Sequence, residues 1–227
     1  MVKTTKQSVP KAYDFKETYP DHISIVAMGR TAEVFLRAMQ TSTYFHSFPQ
    51  EVWGINQTYN WAKLDRLFVM DTEAEYKINV EDAELLQGLL SWRRSLLKAT
   101  IPIYTTINDS KWPTGIEFPL QEVVTEINIP IADTYFMNTV PYALAYAIAI
   151  GVKRIDLFGM DFEYMDPKTG IVHTLEQYRA CVEFWAGIAL GRGISVRTPN
   201  ESGLFYMNHR GYYGYGEDQP DIVMNSW

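Results

Sequence analysis

Five segments carry the side chains with types and spacing suited to chemistry: Gly29-Arg30-Thr31, Asn56-Gln57, Asp71-Thr72, the acidic run from Asp161 to Asp166, and His173. The first four each follow a short apolar, β-rich run, and in open parallel sheets ligands bind beyond the carboxyl ends of the strands. Gly29-Arg30-Thr31 leads into AEVFLRAM, a strand-to-helix turn whose backbone N–H groups can hold a phosphate. One glycine fits a plain turn as well. A dinucleotide fold would show G-x-G-x-x-G here and an acid after the second strand, whereas the chain offers one glycine and Asn56, which disfavours NAD and FAD. Asn56-Gln57 and Asp71 supply amide and carboxyl groups suited to a ribose or base edge, although both residue types also favour turns for local reasons.

In an extended segment Asp161 and Glu163 face the same way, with Asp166 beyond, a spacing that suits either Mg²⁺ ligation or the fixing of a hydroxyl. His173 stands before a helix whose positive end disfavours imidazolium and keeps the ring neutral, as a general base requires. A surface residue packed beside the helix start fits the same spacing equally. The sequence has no G-x-S-x-G elbow, P-loop lysine, H-E-x-x-H or cysteine ligand set, so what remains is transfer chemistry without a covalent nucleophile. The tail, with Tyr206, Tyr212, Tyr213 and Tyr215 among glycines, suits an aromatic lid over a sugar or base, or a surface loop or contact in a homo-oligomer.

The elements that must position these groups alternate between apolar β-rich runs and helical patterns, the signature of crossover units in a mostly parallel sheet. Strands are expected at Ile23 to Met28, Val52 to Ile55, Leu67 to Met70, Ile101 to Tyr104, Arg154 to Phe158 and Ile194 to Arg197. Asn79 reads as an N-cap ahead of LLQGLLSWRRSLLKA, and Thr174-Leu175-Glu176-Gln177 as a capping box for a helix ending near Gly191 and Gly193. A helix from about Thr139 has Pro141 in its first turn and Gly151 past its end, and its nearly all-round apolar character makes it the most buried helix. Lys111 to Pro119, with two prolines and a glycine, reads as a long loop.

A chain of 227 residues with 47% hydrophobic and 21% charged residues accommodates one sizeable α/β domain. The expected organisation is an N-terminal extension over 1–20, a Rossmann-like catalytic domain over 21–204 with helices on both faces of the sheet, and an aromatic tail over 205–227. A net charge of −7 argues against general attraction to phosphate backbones, and Arg93, Arg94 and Lys98 read as solvated helix faces. The sole cysteine, Cys181, lies in an apolar helical pattern and reads as a buried structural thiol. The N-terminus lacks a signal-like apolar core, and the run from Val140 to Ile150 is too short to span a bilayer, so a cytoplasmic protein without a membrane span is expected.

Over Tyr135 to Leu204 the order A-x-A-I-A-x-G-x-K-x-I-D-L-F-G-M-D-F, then His173, then Thr198-Pro199-Asn200 resembles the bacterial sialyltransferases of glycosyltransferase family 42. More loosely it resembles the domain of 6-hydroxymethylpterin pyrophosphokinases of the archaeal type. The resemblance is fainter over His22 to Asp71. It implies a GT-A-like variant of the Rossmann sheet in which Gly29, Arg30, Thr31, Asn56 and Gln57 face the nucleotide of an activated sugar, with Asp71 nearby. Asn138 and Thr139 would contact the donor, Thr139 replacing a serine, and Pro199 and Asn200 would border the nucleotide. His173 would deprotonate the acceptor hydroxyl, and no metal or other cofactor would be required. Asp161 ends the strand in the shared G-x-D pattern, while the tyrosine that would assist the leaving phosphate falls at Glu163, with Tyr164 one residue late. That departure, and Thr139-Val140 in place of Ser-Gly, set CMP-sialic acid apart from the sugar nucleotides in general.

Three readings follow. The first is a nucleotide-sugar-dependent glycosyltransferase acting on a glycan, a small molecule or a modified nucleobase in DNA. The second is a Mg²⁺-dependent pyrophosphokinase or nucleotidyl transferase using Asp161, Glu163 and Asp71. The third is a non-catalytic nucleotide-binding module.

Overall fold

The computed structural model describes residues 19–41, 47–106, 111–130, 135–165 and 172–205, with 164, 165 and 172–174 as backbone. The expectations placed on the N-terminal extension up to residue 18, on Asp166 and on the tail from Tyr206 lie outside the described residues.

The described strands of the main sheet are β1 (His22–Val26), β2 (Glu51–Ile55), β3 (Arg66–Val69), β4 (Ile103–Thr105), β5 (Gly115–Glu117) and β6 (Arg154–Phe158). After them, β7 (Glu163–Met165) and β8 (Val172–Thr174) form a separate antiparallel hairpin, and β9 (Ser195–Arg197) returns to the sheet. Seven strands lie in the order β5-β4-β3-β2-β1-β6-β9, and every neighbouring pair is parallel. The fold is therefore an open, Rossmann-like α/β sheet. Parallel strands need crossovers, and the helices α1 (Ala32–Thr41), α2 (Glu73–Asn79), α3 (Ala83–Ser95), α4 (Leu120–Ile127), α5 (Thr139–Ala149) and α6 (Glu176–Gly191) supply them.

Strand alternation decides which helix covers which face. Ile23, Ile25, Trp53, Phe68, Ile155 and Leu157 pack in one core with α4, α5 and α6, while Val26, Val52, Leu67, Val69 and Phe158 pack in another with α1 and α3. Both faces are buried, which is why these strands read as continuous apolar runs. The helix α5 is buried at nine of its positions, from Thr139 to Ile148, as its all-round apolar sequence requires. Cys181 is buried and free. At the start of β6 the buried Asp156 accepts hydrogen bonds from Arg154 Nε at 2.9 Å and lies 2.7 Å from His22 Nε2, fastening β6 to β1.

Four local expectations are corrected. Lys111 to Pro119 is not all loop, because Gly115–Glu117 pairs with β4 as an edge strand. Asn79 ends α2, and the N-cap of α3 is Asp82, whose carboxylate accepts from Leu85 N at 2.9 Å. The capping box that forms is Thr72 with Glu75, whereas Thr174 ends β8 and α6 starts from Leu175 without a side-chain cap. Arg93 is not on a solvated face: it is 5% exposed, and its guanidinium lies 4.7 Å from the Trp112 ring centroid and 5.6 Å from that of Tyr76. Among the described residues no helix is long and apolar enough to cross a membrane.

Candidate active site at the carboxyl edge of the sheet

The first of the described strands, β1, lies between β2 and β6, so the sheet grows in one direction from β2 to β5 and in the other through β6 and β9. This is the topological switch point, where open α/β sheets bind ligands. The turns after β1 and β6 meet there at close range. Ala27 N donates to Phe158 O at 2.8 Å, and Gly29 N donates to Gly159 O at 3.0 Å. A Cβ at Gly29 would lie 2.5 Å from Asp161 Oδ2, so only glycine fits beside this acid.

Asp161 is 4% exposed and is tied to the start of α1. Its Oδ2 accepts from Thr31 N at 2.7 Å and from Thr31 Oγ1 at 3.1 Å, and Thr31 Oγ1 in turn accepts from Gly159 N at 3.0 Å. A carboxylate thus occupies the position at the helix start that an anion would take. The amides of Gly29 and Thr31 are committed within the protein, and the cation that the turn still presents is the exposed Arg30, with Nη2 3.4 Å from Glu201 O. The segment after β9 closes over Asp161: Ser202 Oγ donates to Met160 O at 3.2 Å, and Gly203 packs its Cα against the Asp161 carbonyl. Pro199 is buried and accepts from Ser202 N at 3.0 Å, while Asn200 is exposed.

Asp161 and Glu163 do not share a face. Phe162 between them adopts φ 52°, which breaks the extended run and leaves Asp161 buried and Glu163 exposed. Among the described residues no three His, Cys, Asp or Glu groups converge as metal ligands. The backbone then enters the β7–β8 hairpin, where Tyr164 stands opposite His173 in the register and Leu175 N donates to Phe162 O at 2.8 Å. His173 thereby lies three residues before α6, on a hairpin that follows Asp161 in the chain.

A second group of residues gathers after β2 and β3. Asn56 adopts φ 52°, and its Nδ2 donates to Asp71 Oδ2 at 3.1 Å. Arg93 Nη1 donates to the Asp71 carbonyl at 2.6 Å. Burial pushes the Asp71 carboxyl above the ordinary carboxylate range, against the opposing pull of the Asn56 hydrogen bond. Gln57 is half-buried in the short 3₁₀ turn that follows β2. Between the two groups stands the first turn of α5. Asn138 caps that helix by accepting from Val140 N at 3.0 Å and donates to Tyr178 O of α6 at 3.3 Å. Tyr142 lies close enough to feel the charges of Glu75 and Asp71, which add to the upward push of burial on its phenol.

Along this edge a row of buried oxygens lacks partners among the described residues: Asn56 Oδ1, Thr106 Oγ1, Thr139 Oγ1, Asp161 Oδ1 and Thr198 Oγ1. They follow β2, β4, β6 and β9 and begin α5. Buried polar atoms are normally paired, so this row leaves hydrogen-bonding capacity unused at the edge. Tyr76, Thr106, Tyr142 and Arg93 were not singled out from the sequence as site residues. The one local signal near them was Thr72-x-x-Glu75, the capping box that starts the helix carrying Tyr76.

The Asp71 shift has a testable sign. A carboxyl whose folded value lies above its unfolded value opposes folding above the folded value, and the penalty fades as pH falls through it. Asp71→Asn is therefore expected to stabilise the fold near neutrality and to lose that advantage on acidification. Urea melts of both chains at about pH 7.5 and about pH 5 check this. An advantage that grew on acidification would overturn burial as the cause.

No family model matches the chain, and no curated protein matches it. Among solved structures the chain is similar to the sialyltransferase CstII from Campylobacter jejuni in complex with a substrate analogue, cytidine-5'-monophosphate, at 17% identity and a TM-score of 0.42 over 78% of this chain and 79% of that one. It is also similar to CstII in complex with CMP-3FNeuAc, at 18% identity and a TM-score of 0.41 over the same shares.

Proposed function

We propose that the chain is a glycosyltransferase that moves a sugar from a nucleotide-sugar donor to an acceptor hydroxyl, with His173 as general base. The observation that supports this reading is the row of unpartnered buried oxygens at the carboxyl edge of the sheet, the edge from which the chain runs on into the hairpin that carries His173. Hydroxyl, amide and carboxyl oxygens of this kind suit a ligand rich in hydroxyls and base edges.

In this reading Asn56, Gln57, Thr139, Pro199 and Asn200 take the nucleoside and sugar, and Arg30 meets the phosphate that the committed amides of its turn do not. Asp161 positions: it fixes the start of α1, and with it Arg30. The acceptor oxygen attacks the anomeric carbon as His173 takes its proton. The bond from that carbon to the nucleotide phosphate breaks, its electron pair leaves with the phosphate, and configuration at the carbon inverts. In this reading Tyr164, opposite His173 in the hairpin register, assists the leaving oxygen.

The test is a thermal-shift screen with CMP, UDP, GDP and ADP and their sugar conjugates, repeated with a chelator, followed by assay of nucleotide release with candidate acceptors. Binding to the native state raises the melting temperature by mass action. A chelator-resistant shift with one sugar nucleotide, and its release as free nucleotide, is the expected result. A shift confined to a nucleoside triphosphate with Mg²⁺ overturns the reading in favour of phosphoryl or nucleotidyl transfer, and binding without release under any acceptor reduces the chain to a nucleotide-binding module.

A further inference from the structure

On the face that carries α1 and α3, a cavity of about 130 Å³ opens between the start of α2, the outer side of α3 and the segment before β5. Its lining includes Glu73, Arg93, Arg94, Leu97, Lys111 and Trp112. Three cations meet one acid there, on a chain whose net charge is −7. The acid, Glu73, is already paired, with Lys77 Nζ 2.6 Å from its Oε1.

The three cations differ in kind. Arg93 is buried and fixed, held by its hydrogen bond to the Asp71 carbonyl and by the flanking rings of Tyr76 and Trp112. Arg94 and Lys111 are exposed, so their side chains can close on a ligand. Glu73, which also feels the charges of Lys111 and Arg93, offsets only part of this positive charge, and an entering anion would offset the rest. Trp112, 6% exposed, forms an apolar wall, with its Nε1 donating to the Arg93 carbonyl at 2.9 Å.

Size narrows the ligand. The cavity has room for about four waters, well below the roughly 300 Å³ at which pockets begin to enclose drug-sized molecules. A whole nucleotide is not enclosed by it, whereas a tetrahedral oxyanion, free or at the end of a larger molecule, fits. Guanidinium groups bind phosphate oxygens through a planar fork of donors, an arrangement more specific than a lone ammonium gives.

We propose that this cavity is a binding site for a small oxyanion, the phosphate ion or the phosphate group of a phosphomonoester, gripped by Arg94 and Lys111 with Arg93 behind them. The site adjoins the Asp71 group through Arg93 but includes none of the unpartnered carboxyl-edge oxygens, and it does not depend on the glycosyltransferase reading.

The test titrates inorganic phosphate into the full chain by calorimetry and by thermal shift, with chloride at matched ionic strength as control. The comparison chain is Arg94→Ala with Lys111→Ala; both side chains are exposed, so folding should persist, and Arg94→Gln and Lys111→Gln singly serve if it does not. The expected result is saturable phosphate binding that chloride does not reproduce, weakened at least about tenfold in the double variant, the loss that removing charge-assisted hydrogen bonds brings. Unchanged affinity in the variants would place phosphate elsewhere, at the sheet edge for example, and overturn the proposal. So would an equal response to chloride, or no binding, which would reduce the cavity to a positive surface patch. Glucose 6-phosphate beside free phosphate then separates a phosphomonoester from the ion alone.

Discussion

Alanine in place of His173 is expected to lower turnover by about 10²–10⁴-fold, the usual contribution of a positioned general base, while folding and donor binding are preserved. The argument for selectivity is topological. His173 lies in the two-stranded β7–β8 hairpin, outside the seven-stranded ladder, so its replacement removes no register contact of the main sheet. The hairpin is nevertheless fastened at its base, where Leu175 N donates to Phe162 O, and Phe162 directly follows Asp161, which is bonded to Thr31. That chain of contacts gives residue 173 a defined place at the edge where the unpartnered oxygens lie. Three measurements on the His173→Ala chain separate base catalysis from damage: its urea midpoint, its donor affinity, and partial recovery of turnover by added imidazole. An unchanged midpoint and affinity with a large loss in kcat is the expected pattern. Full turnover would remove His173 from the mechanism, and a matching fall in stability would assign it a structural part.

The sheet was largely legible because its chemistry is local. Strands buried on both faces have to be mostly apolar, and Ile23 to Val26, Val52 to Ile55 and Ile155 to Phe158 are, with Ser24 and Asp156 as the buried polar exceptions. Proline early and glycine late framed α5, and Gly151 does take φ 80° beyond its end. What failed was either too short or too distant to read. The edge strand β5 is three residues with a glycine, among prolines and a tryptophan, and its pairing with β4 is a tertiary fact. Thr174-Leu175-Glu176-Gln177 matched a capping box by type, but Thr174 was drawn into the ladder with Glu163, so the helix began one residue later than the motif required. Arg93 looked like half of an exposed basic pair, yet one of the two positions turns inward on α3, where Tyr76 and Trp112 flank the guanidinium.

The candidate site was legible as a set of strand ends but not as a set of contacts. The terminal residues of each apolar run could be named, and a parallel sheet brings such ends to one edge whatever the order of its strands. The bond from Asp161 to Thr31 spans 130 residues, and no local pattern announces it. Its consequence is chemical. An acid that looked available for metal or for fixing a hydroxyl has one oxygen occupied by two donors, and the helix start that looked open to phosphate already holds a carboxylate.

Alanine in place of Gly159 is expected to be the most damaging single methyl group in the described protein, costing about 2–5 kcal/mol: roughly 1–2 for a left-handed backbone and about 1–3 for overpacking. Gly159 takes φ 70°, where a side chain is strained whatever the space around it. Space is also missing. The added Cβ would press on the Ala27 carbonyl oxygen and stand 2.7 Å from the Ala27 carbonyl carbon, both backbone atoms at the end of β1. Rotamer changes cannot relieve contacts with backbone, so β1 and β6 would have to part at the switch point. Three hydrogen bonds lie across that seam: Ala27 N to Phe158 O, Gly29 N to Gly159 O, and Gly159 N to Thr31 Oγ1. Parting the strands also shifts Asp161 away from Thr31, so the start of α1 and Arg30 move with it. The Gly159→Ala chain should therefore lose stability and, under conditions where it remains folded, bind a donor nucleotide more weakly than the parent. Urea melts read the first effect and titration of the folded variant the second. A fall in stability below about 1 kcal/mol would show that the turn relaxes without opening the seam, whereas a folded variant with parental affinity would show that the β1–β6 turn does not shape the donor site.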